Sequence, residues 1–448
     1  KPERRALTVL DIEALKPFHW GYEFDQILGK GGFDAIITNP PWEIFKPNAK
    51  EFFEDFSELV TKKKMTIKEF EKEQAKLLKD EDTRVAWLQY QSEYPHVSAF
   101  YRSAPQYKNQ ISIVDGKKAG SDTNLYKLFT EQCFNLLRKG GYCGIVIPSG
   151  IYTDLGTKQL REMLFGQTRI TGLFCIENRK EVFEGVHRSF KFLVLSYEKG
   201  GETRHFPAAF MRHDVAELEQ FPQEGAIDIS VELVRRLSPD SLSVMEFKNS
   251  RDVRIAEKMA AFPLLGDTTG EYPVVFAREF DMTQAGASGI AKTEWGKDLC
   301  PLYEGKMIWQ YQHNFAEPQY WVNERALRTF LFGDKENCVG PDYFRVVFRR
   351  QSACTNERTL VASIIPPAYH ADNLAHVMPV DKKGERVLGT SQALALCALF
   401  NSVVVDFSVR QRVTNNINFF YLYQLPIPRL TAKDAAFRPI VERAARLI

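Results

Sequence analysis

Apolar and polar positions fall into blocks whose period changes several times along the chain. Phe33, Ala35, Ile36 and Ile37 carry the pattern of a short interior strand that stops at Asn39-Pro40-Pro41-Trp42, where paired prolines forbid any ladder or helix beyond it. Upstream, Leu7 to Leu10 reads as a strand and the aromatic patch from Phe18 to Phe24 as a packed loop. From Lys46 to about Asp82, Lys and Glu dominate and apolar residues recur at helical spacing, which predicts one or two amphipathic helices inserted at 46–82. Residues 83–120 are rich in Tyr, Ser and Gln and end in a loop at Gly116 to Gly120.

Asn124 to Leu137 then shows Leu125, Leu128, Phe129, Phe134 and Leu136 at helical spacing, closed by Gly140-Gly141. The strand Tyr142 to Ile147 follows, stopped by Pro148-Ser149-Gly150. Helix, glycine turn and apolar strand in that order predict a parallel α/β unit. A second unit has a helix at Thr157 to Phe165 and strands at Ile170 to Ile176 and Ser189 to Tyr197. Two strands without a helix between them predict an antiparallel pair at a sheet edge. Beyond about residue 202 the alternation breaks down: Asp228 to Leu237, Ser250 to Phe262 and Gln392 to Arg410 read as helices among short strands and loops. The pattern divides the chain into 1–238, 239–430 and a helical tail at 431–448.

With 448 residues, 44% hydrophobic and 26% charged, the chain is long enough for two or three domains with real cores, which excludes a disordered tail or a coiled coil. The net charge of +2 leaves a polyanionic partner open, so only local clusters inform. Seven cysteines, Cys133, Cys143, Cys175, Cys300, Cys338, Cys354 and Cys397, are scattered and never form C-x-x-C, which points to reduced thiols in a cytoplasmic protein. No apolar run approaches the roughly 18 residues of a membrane span, so no membrane partner is expected. The first residues carry neither an initiator Met nor an apolar signal core, so the start reads as the interior of a longer polypeptide.

The chemistry gathers at the Pro-Pro turn. A residue before proline is pushed to extended conformations, so Asn39 and Pro40 both lose freedom. The Asn39 amide oxygen and the Pro40 carbonyl become two fixed acceptors, and Trp42 adds an aromatic face. That set suits a flat heterocycle with an exocyclic amine; the plainer reading is a turn with Trp42 as packing. Lys62-Lys63-Lys64 is a candidate phosphate contact or a solvated face, and His370 and His376 are spaced like loop histidines rather than metal ligands. Pro239-Asp240 followed by Glu246-Phe247-Lys248 superficially resembles a nuclease metal site, though its spacing is short.

Taken together, the strand ending in Asn-Pro-Pro-Trp, the unit ending in Ile147-Pro148-Ser149-Gly150 and Val182-Phe183-Glu184-Gly185 resemble the amino-methylating DNA methyltransferases. The resemblance is closest to Eco57I-like and type IIG restriction-modification methylases, which make N6-methyladenine. It implies an α/β fold, a Rossmann-like class I methyltransferase sheet with its N-terminal strands missing, plus a mixed α+β target-recognition domain. It implies catalytic roles for Asn39, Pro40, Pro41 and Trp42, base stacking by Phe183, and a cofactor-pocket role for Asn124 and Leu125. S-adenosyl-L-methionine is the implied cofactor and double-stranded DNA the implied partner.

The second half resembles a TaqI-like specificity domain over Leu302 to Ile308, Thr355 to Leu360 and Asn418 to Pro428. Arg345, Arg349, Arg350 and Arg358, with Lys306, are its candidate DNA contacts. One departure matters: no glycine-rich cofactor loop occurs in residues 1–38, and Gly29-Lys30-Gly31-Gly32 precedes a strand instead of following one. The expectation is therefore the target-base half of a site-specific DNA adenine-N6 methyltransferase of a restriction-modification or related phage-defence system. Its cofactor half is expected elsewhere, with a nuclease or helicase domain or subunit as a possible upstream partner. The alternatives are a non-catalytic DNA-recognition module or subunit, and a methyltransferase acting on RNA or protein glutamine.

Overall fold

Six strands build the sheet of the first unit: β1 (Phe33–Thr38), β2 (Leu137–Pro148), β3 (Thr168–Glu177), β4 (Lys191–Lys199), β5 (His205–Arg212) and β6 (Ile227–Ser230). Their spatial order is β1-β2-β4-β3-β5-β6. The computed structural model describes residues 6, 8–14, 16–57, 60, 65–114, 116–119, 122–267, 271–282, 290–333, 342–353, 356–381, 383–411 and 416–448. The chain divides into two units, Lys1–Lys248 and Asn249–Ile448.

β1 forms where the apolar pattern places it and runs parallel to β2, with Thr38 opposite Ile145. Gly32 makes this entry possible: its φ is +122°, and a Cβ there would lie 2.3 Å from the Leu136 carbonyl oxygen. β1 is not the interior strand expected, however. It pairs with β2 alone among the described residues, and Ile37 is 90% exposed. Alternation reports which side chains can be buried, and strand order decides whether anything covers them.

β4 departs from expectation in the opposite sense. Instead of marking a sheet edge with β3, it runs between β2 and β3, antiparallel to both. Phe192, Leu193, Leu195 and Tyr197 are buried along it, as suits a central strand. The sheet is therefore mixed: β1 with β2 and β3 with β5 are parallel, and the other pairs are antiparallel.

Around the sheet, the expected strand near Leu7 to Leu10 is instead the helix Val9–Ala14, with residue 7 outside the described set. The patch from Phe18 to Phe24 holds the short helix Trp20–Glu23, followed by Asp25–Leu28. The insertion after the Pro-Pro turn comprises Ala49–Glu54, Ile67–Leu77 and the long helix Glu81–Ser103. Its starts were written locally: Thr66 and Glu69 form a capping box, and Asp80 accepts from the Thr83 N–H. Lys62, Lys63 and Lys64 lie outside the described residues. The helix expected from Asp228 begins only at Val231, because Ile227 and Ile229 are buried alternately in β6 beside β5.

Residues 239–248 fold back onto the first unit. The buried Arg161 guanidinium donates to the Ser241 carbonyl, at 3.1 Å from Nε and 2.6 Å from Nη2. Glu246 accepts from Lys191 at 2.5 Å and from the Tyr152 hydroxyl at 2.8 Å. These bonds carry the first unit past residue 238, to Lys248.

The second unit centres on four antiparallel strands, β7 (Phe276–Ala277), β8 (Arg345–Arg349), β9 (Ala362–Ile365) and β10 (Leu374–Val377), in the order β9-β8-β10-β7. The single helix expected over 392–410 is two, Thr390–Phe400 and Val403–Arg410, bent by 60°. The break has a cause: buried Asn401 accepts from the Ala362 N–H at 3.1 Å and donates to its carbonyl at 2.8 Å, and Ser402 caps the second helix. The C-terminal helix Phe437–Leu447 packs on Thr390–Phe400 within this unit. No single described helix is long and apolar enough to cross a membrane.

Candidate functional site

The strand directions bring four segments to one end of the first sheet. β1 and β2 end there, at Thr38 and Pro148; β3 ends there at Glu177, paired with Lys191, where antiparallel β4 begins. Asn39 leaves this end exposed, with no hydrogen bond to its side chain among the described residues, while Pro40 is buried. Trp42 is half-buried, and its indole N–H donates to the Val146 carbonyl of β2 at 3.2 Å.

An aromatic cluster holds the indole. Trp42 stacks on Phe190 (ring centroids 5.7 Å apart, 15° between planes) and on Phe192 (5.9 Å, 27°). Phe183 meets Trp42 edge to face at 4.8 Å and meets Phe192 likewise at 4.8 Å. Such pairs contribute about 0.5–1.5 kcal/mol each beyond area burial. The sequence-predicted pair Trp42 and Phe183 therefore does come together, but as touching rings. They do not form two walls around a base, because no slot of base thickness lies between rings in contact. Phe190 and Phe192 were missed by sequence reasoning, although Phe190-Lys191-Phe192 opens β4.

Asn178 was also missed. Its side chain is buried and holds the loop that carries Phe183: Nδ2 donates to the carbonyls of Phe183 and Val186, both at 2.9 Å, and Oδ1 accepts from the Phe183 N–H at 3.0 Å. Its only sequence signal is a short amide directly after an apolar strand, a residue type that bonds to its own following backbone. Asn178→Ala leaves these backbone groups unpaired, at roughly 1–3 kcal/mol for each buried one. The Phe183 amide is expected to lose most of its hydrogen-exchange protection in this variant while β2 and β3 keep theirs. Unchanged protection at Phe183 would show that Asn178 does not hold the loop.

Chain immediately after the turn is laced to the next candidate pair. Phe45 N–H donates to the Thr123 carbonyl at 2.7 Å, Leu125 N–H donates to the Glu43 carbonyl at 3.0 Å, and Ile44 bridges Asn124. Asn124 sits at the N-cap of the helix Leu125–Leu136, and its amide donates to the Asp122 carbonyl rather than to the helix. Leu125, Leu128 and Phe129 of that helix face β1 across a cleft of about 490 Å³, which Trp20 and Phe24 help to line. On the same helix, burial pushes the Lys127 ammonium below its usual range, against the pull of Asp154 at 4.0 Å.

In the second unit the five candidate DNA contacts separate. Arg345 is 1% exposed; it is paired with buried Glu279 at 2.9 Å and also donates to the Ala368 carbonyl. A guanidinium enclosed in this way reaches no DNA, so that expectation is corrected: β8 is buried through Phe348 and leaves no solvated face at Arg345. Arg350 is engaged with Asp372, at 2.5 Å to its carbonyl and 3.6 Å to its carboxylate. Lys306 is engaged with Gln319 and, at 3.5 Å, with Glu304. Arg349 and Arg358 line one cleft. His370 and His376 prove to be buried partners, Nε2 to Nδ1 at 2.7 Å. The nuclease-like triplet is disarmed, since Glu246 is committed to Lys191 and Tyr152.

A mixed α/β sheet with an Asn-Pro-Pro-Trp turn and an aromatic cluster at one end is the architecture of this unit. The chain matches the model of the Eco57I restriction-modification methylase family over residues 8–88 and 90–183, less than half of its 448 residues. It is 42% identical over 52 residues to a Methanocaldococcus jannaschii protein named as a type II restriction enzyme and methyltransferase, RM.MjaORFECS2P. That stretch is 11% of this chain and 4% of the relative. Among solved structures, the type IIL restriction-modification enzyme MmeI in complex with DNA aligns over 95% of this chain and 50% of its own, with 10% identity and a TM-score of 0.45. The type IIG restriction endonuclease BpuSI aligns over 74% of this chain and 45% of its own, with 13% identity and a TM-score of 0.31. The chain thus spans half or less of the length of these proteins.

Proposed function

We propose that this chain carries the target-base side of a site-specific DNA adenine-N6 methyltransferase, which moves a methyl group from S-adenosyl-L-methionine to a flipped adenine in a restriction-modification system. The observation that carries the reading is the Asn39-Pro40-Pro41-Trp42 turn at the sheet end, within the segment that matches the methylase family. The amine of adenine is out of reach inside a duplex, and extruding the base costs a few kcal/mol. Asn39 Oδ1 and the Pro40 carbonyl then accept its two N–H bonds. That draws the nitrogen lone pair out of conjugation and aims it at the incoming methyl, so that positioning supplies most of the catalysis. Phe183 and exposed Phe190 offer the aromatic surface for the flipped base, with Trp42 braced behind them.

The described residues do not fit the whole cofactor. The cleft beside β1 is largely apolar; its polar groups include Thr38, Tyr101, Tyr107, Cys133 and the Gln132 amide, whose Oε1 is buried without a partner among the described residues, and no carboxylate lines it for the ribose hydroxyls or the ammonium end. Asn124 and Leu125 are candidates for one wall only. We propose that further polypeptide pairs with the open side of β1 and brings the remaining half, a Rossmann-like class I arrangement. Sequencing modified bases in DNA from cells expressing the intact gene is expected to find N6-methyladenine at one position of one sequence motif. Unmodified DNA, or methylated cytosine, would refute the reading.

A further inference from the structure

Three arginines lie close together in the second unit, and two of them are answered by carboxylates: Arg345 by Glu279 and Arg350 by Asp372. Arg349 is not. Its Nη2 donates to the Ile308 carbonyl, its Nε is buried without a partner, and no ion pair reaches it among the described residues. The guanidinium lies 4.9 Å from the centroid of the Trp309 ring, which itself stacks on Phe315 at 5.6 Å. Burial alone pulls Arg349 below its usual range, as expected for a cation without a counter-ion. Arg358, also without an ion pair among the described residues and without a hydrogen bond there, lines the same cleft of about 220 Å³ with Gln351, Ser352 and Asn356. The one carboxylate on the lining, Glu357, is exposed and makes no ion pair with either arginine among the described residues.

We propose that this cleft clamps one phosphodiester of duplex DNA between Arg349 and Arg358, and so supplies affinity that is independent of sequence. The clamp rests on the reading above that the chain acts on DNA. Arg349 brings its uncommitted Nη1 and a charge without a counter-ion, and Arg358 a guanidinium fork without a partner among the described residues, a set that matches the oxygens of a phosphate. A base is the poorer occupant, because Arg349 already covers the Trp309 ring and Asn356 already donates to Ser352.

Binding of the whole chain to short duplexes of several random sequences, followed by fluorescence anisotropy across a salt series, tests the clamp. Arg349→Gln and Arg358→Gln are each expected to weaken binding about tenfold, equally on every sequence. Each should also flatten the slope of log affinity against log salt, and the two together by about 0.9, the amount for one phosphate; Arg349→Lys should restore most of its share. An unchanged slope in both glutamine variants overturns the clamp, and a loss confined to one sequence overturns it in favour of a base-edge contact. Should Arg349→Gln melt early, Arg358→Gln carries the test. A wild-type chain that binds no duplex would instead sink the DNA reading itself, so the two failures are distinguishable.

Discussion

Asn39→Ala in the intact protein is expected to lower the rate of methyl transfer by roughly 10²–10³-fold or more, the scale of removing one preorganised hydrogen-bond partner from a reacting centre. Duplex affinity and melting temperature should hold, because the Asn39 side chain is exposed and makes no hydrogen bond among the described residues. Exposed substitutions of this kind usually change stability by less than about 0.5 kcal/mol. The backbone acceptor at Pro40 is untouched, and buried Pro40 keeps the turn in place, so the variant isolates the amide oxygen. Single-turnover transfer measured beside anisotropy makes the separation. Full transfer by Asn39→Ala would remove the residue from the reaction.

Glu279→Ala is expected to destabilise the second unit by about 3–5 kcal/mol, the penalty of leaving a buried charge without its partner. Glu279 accepts from Arg345 Nη1 and Nη2 and from the His370 backbone N–H at 2.8 Å, so its removal breaks three bonds together and leaves the guanidinium only the Ala368 carbonyl. Urea unfolding followed by hydrogen exchange in β8 and β10 reads the loss. A double variant, Glu279→Leu with Arg345→Met, should recover much of it, because an apolar pair of similar volume carries no desolvation penalty. Loss below about 1 kcal/mol in the single variant would show that water reaches the pair.

The same cluster makes the unit acid-sensitive. Burial pulls the His370 imidazole from 6.5 down to about 4, outweighing the upward pull of Glu279, and His376 is lowered as well. An unfolded chain therefore takes up protons near pH 6.5 that the folded one refuses until about 4. Stability is full above pH 6.5 and declines as pH falls through that window. A melting temperature flat across the window would contradict it.

What could be read from the sequence was local. β1, β2, the Pro-Pro turn between strand and insertion, and the helix Leu125–Leu136 each rest on neighbouring residues, and each lies close to where it was expected, although Gly140-Gly141, expected to close that helix, lies inside β2. Strand order is a long-range property, which is why β4 was expected at an edge and β1 in the interior. Arg345 was expected to reach DNA because its partner Glu279 is 66 positions away and gives no local sign. His370 and His376 meet across the turn at Asp372 and Asn373 into β10, a pairing that helical spacing rules do not anticipate. Asn178 carried only a faint local sign because its three bonds run to backbone groups, which a sequence does not distinguish.

The open side of β1 has a practical consequence for anyone producing this protein. A strand whose outer row of N–H and C=O groups is unmatched among the described residues, flanked by exposed Ile37, accepts whichever extended segment arrives first. Completion of the sheet is then a race against self-association. On the proposal that further polypeptide completes the sheet, yield of soluble material should depend on whether that polypeptide is present during synthesis, not on whether it is added to the purified chain afterwards.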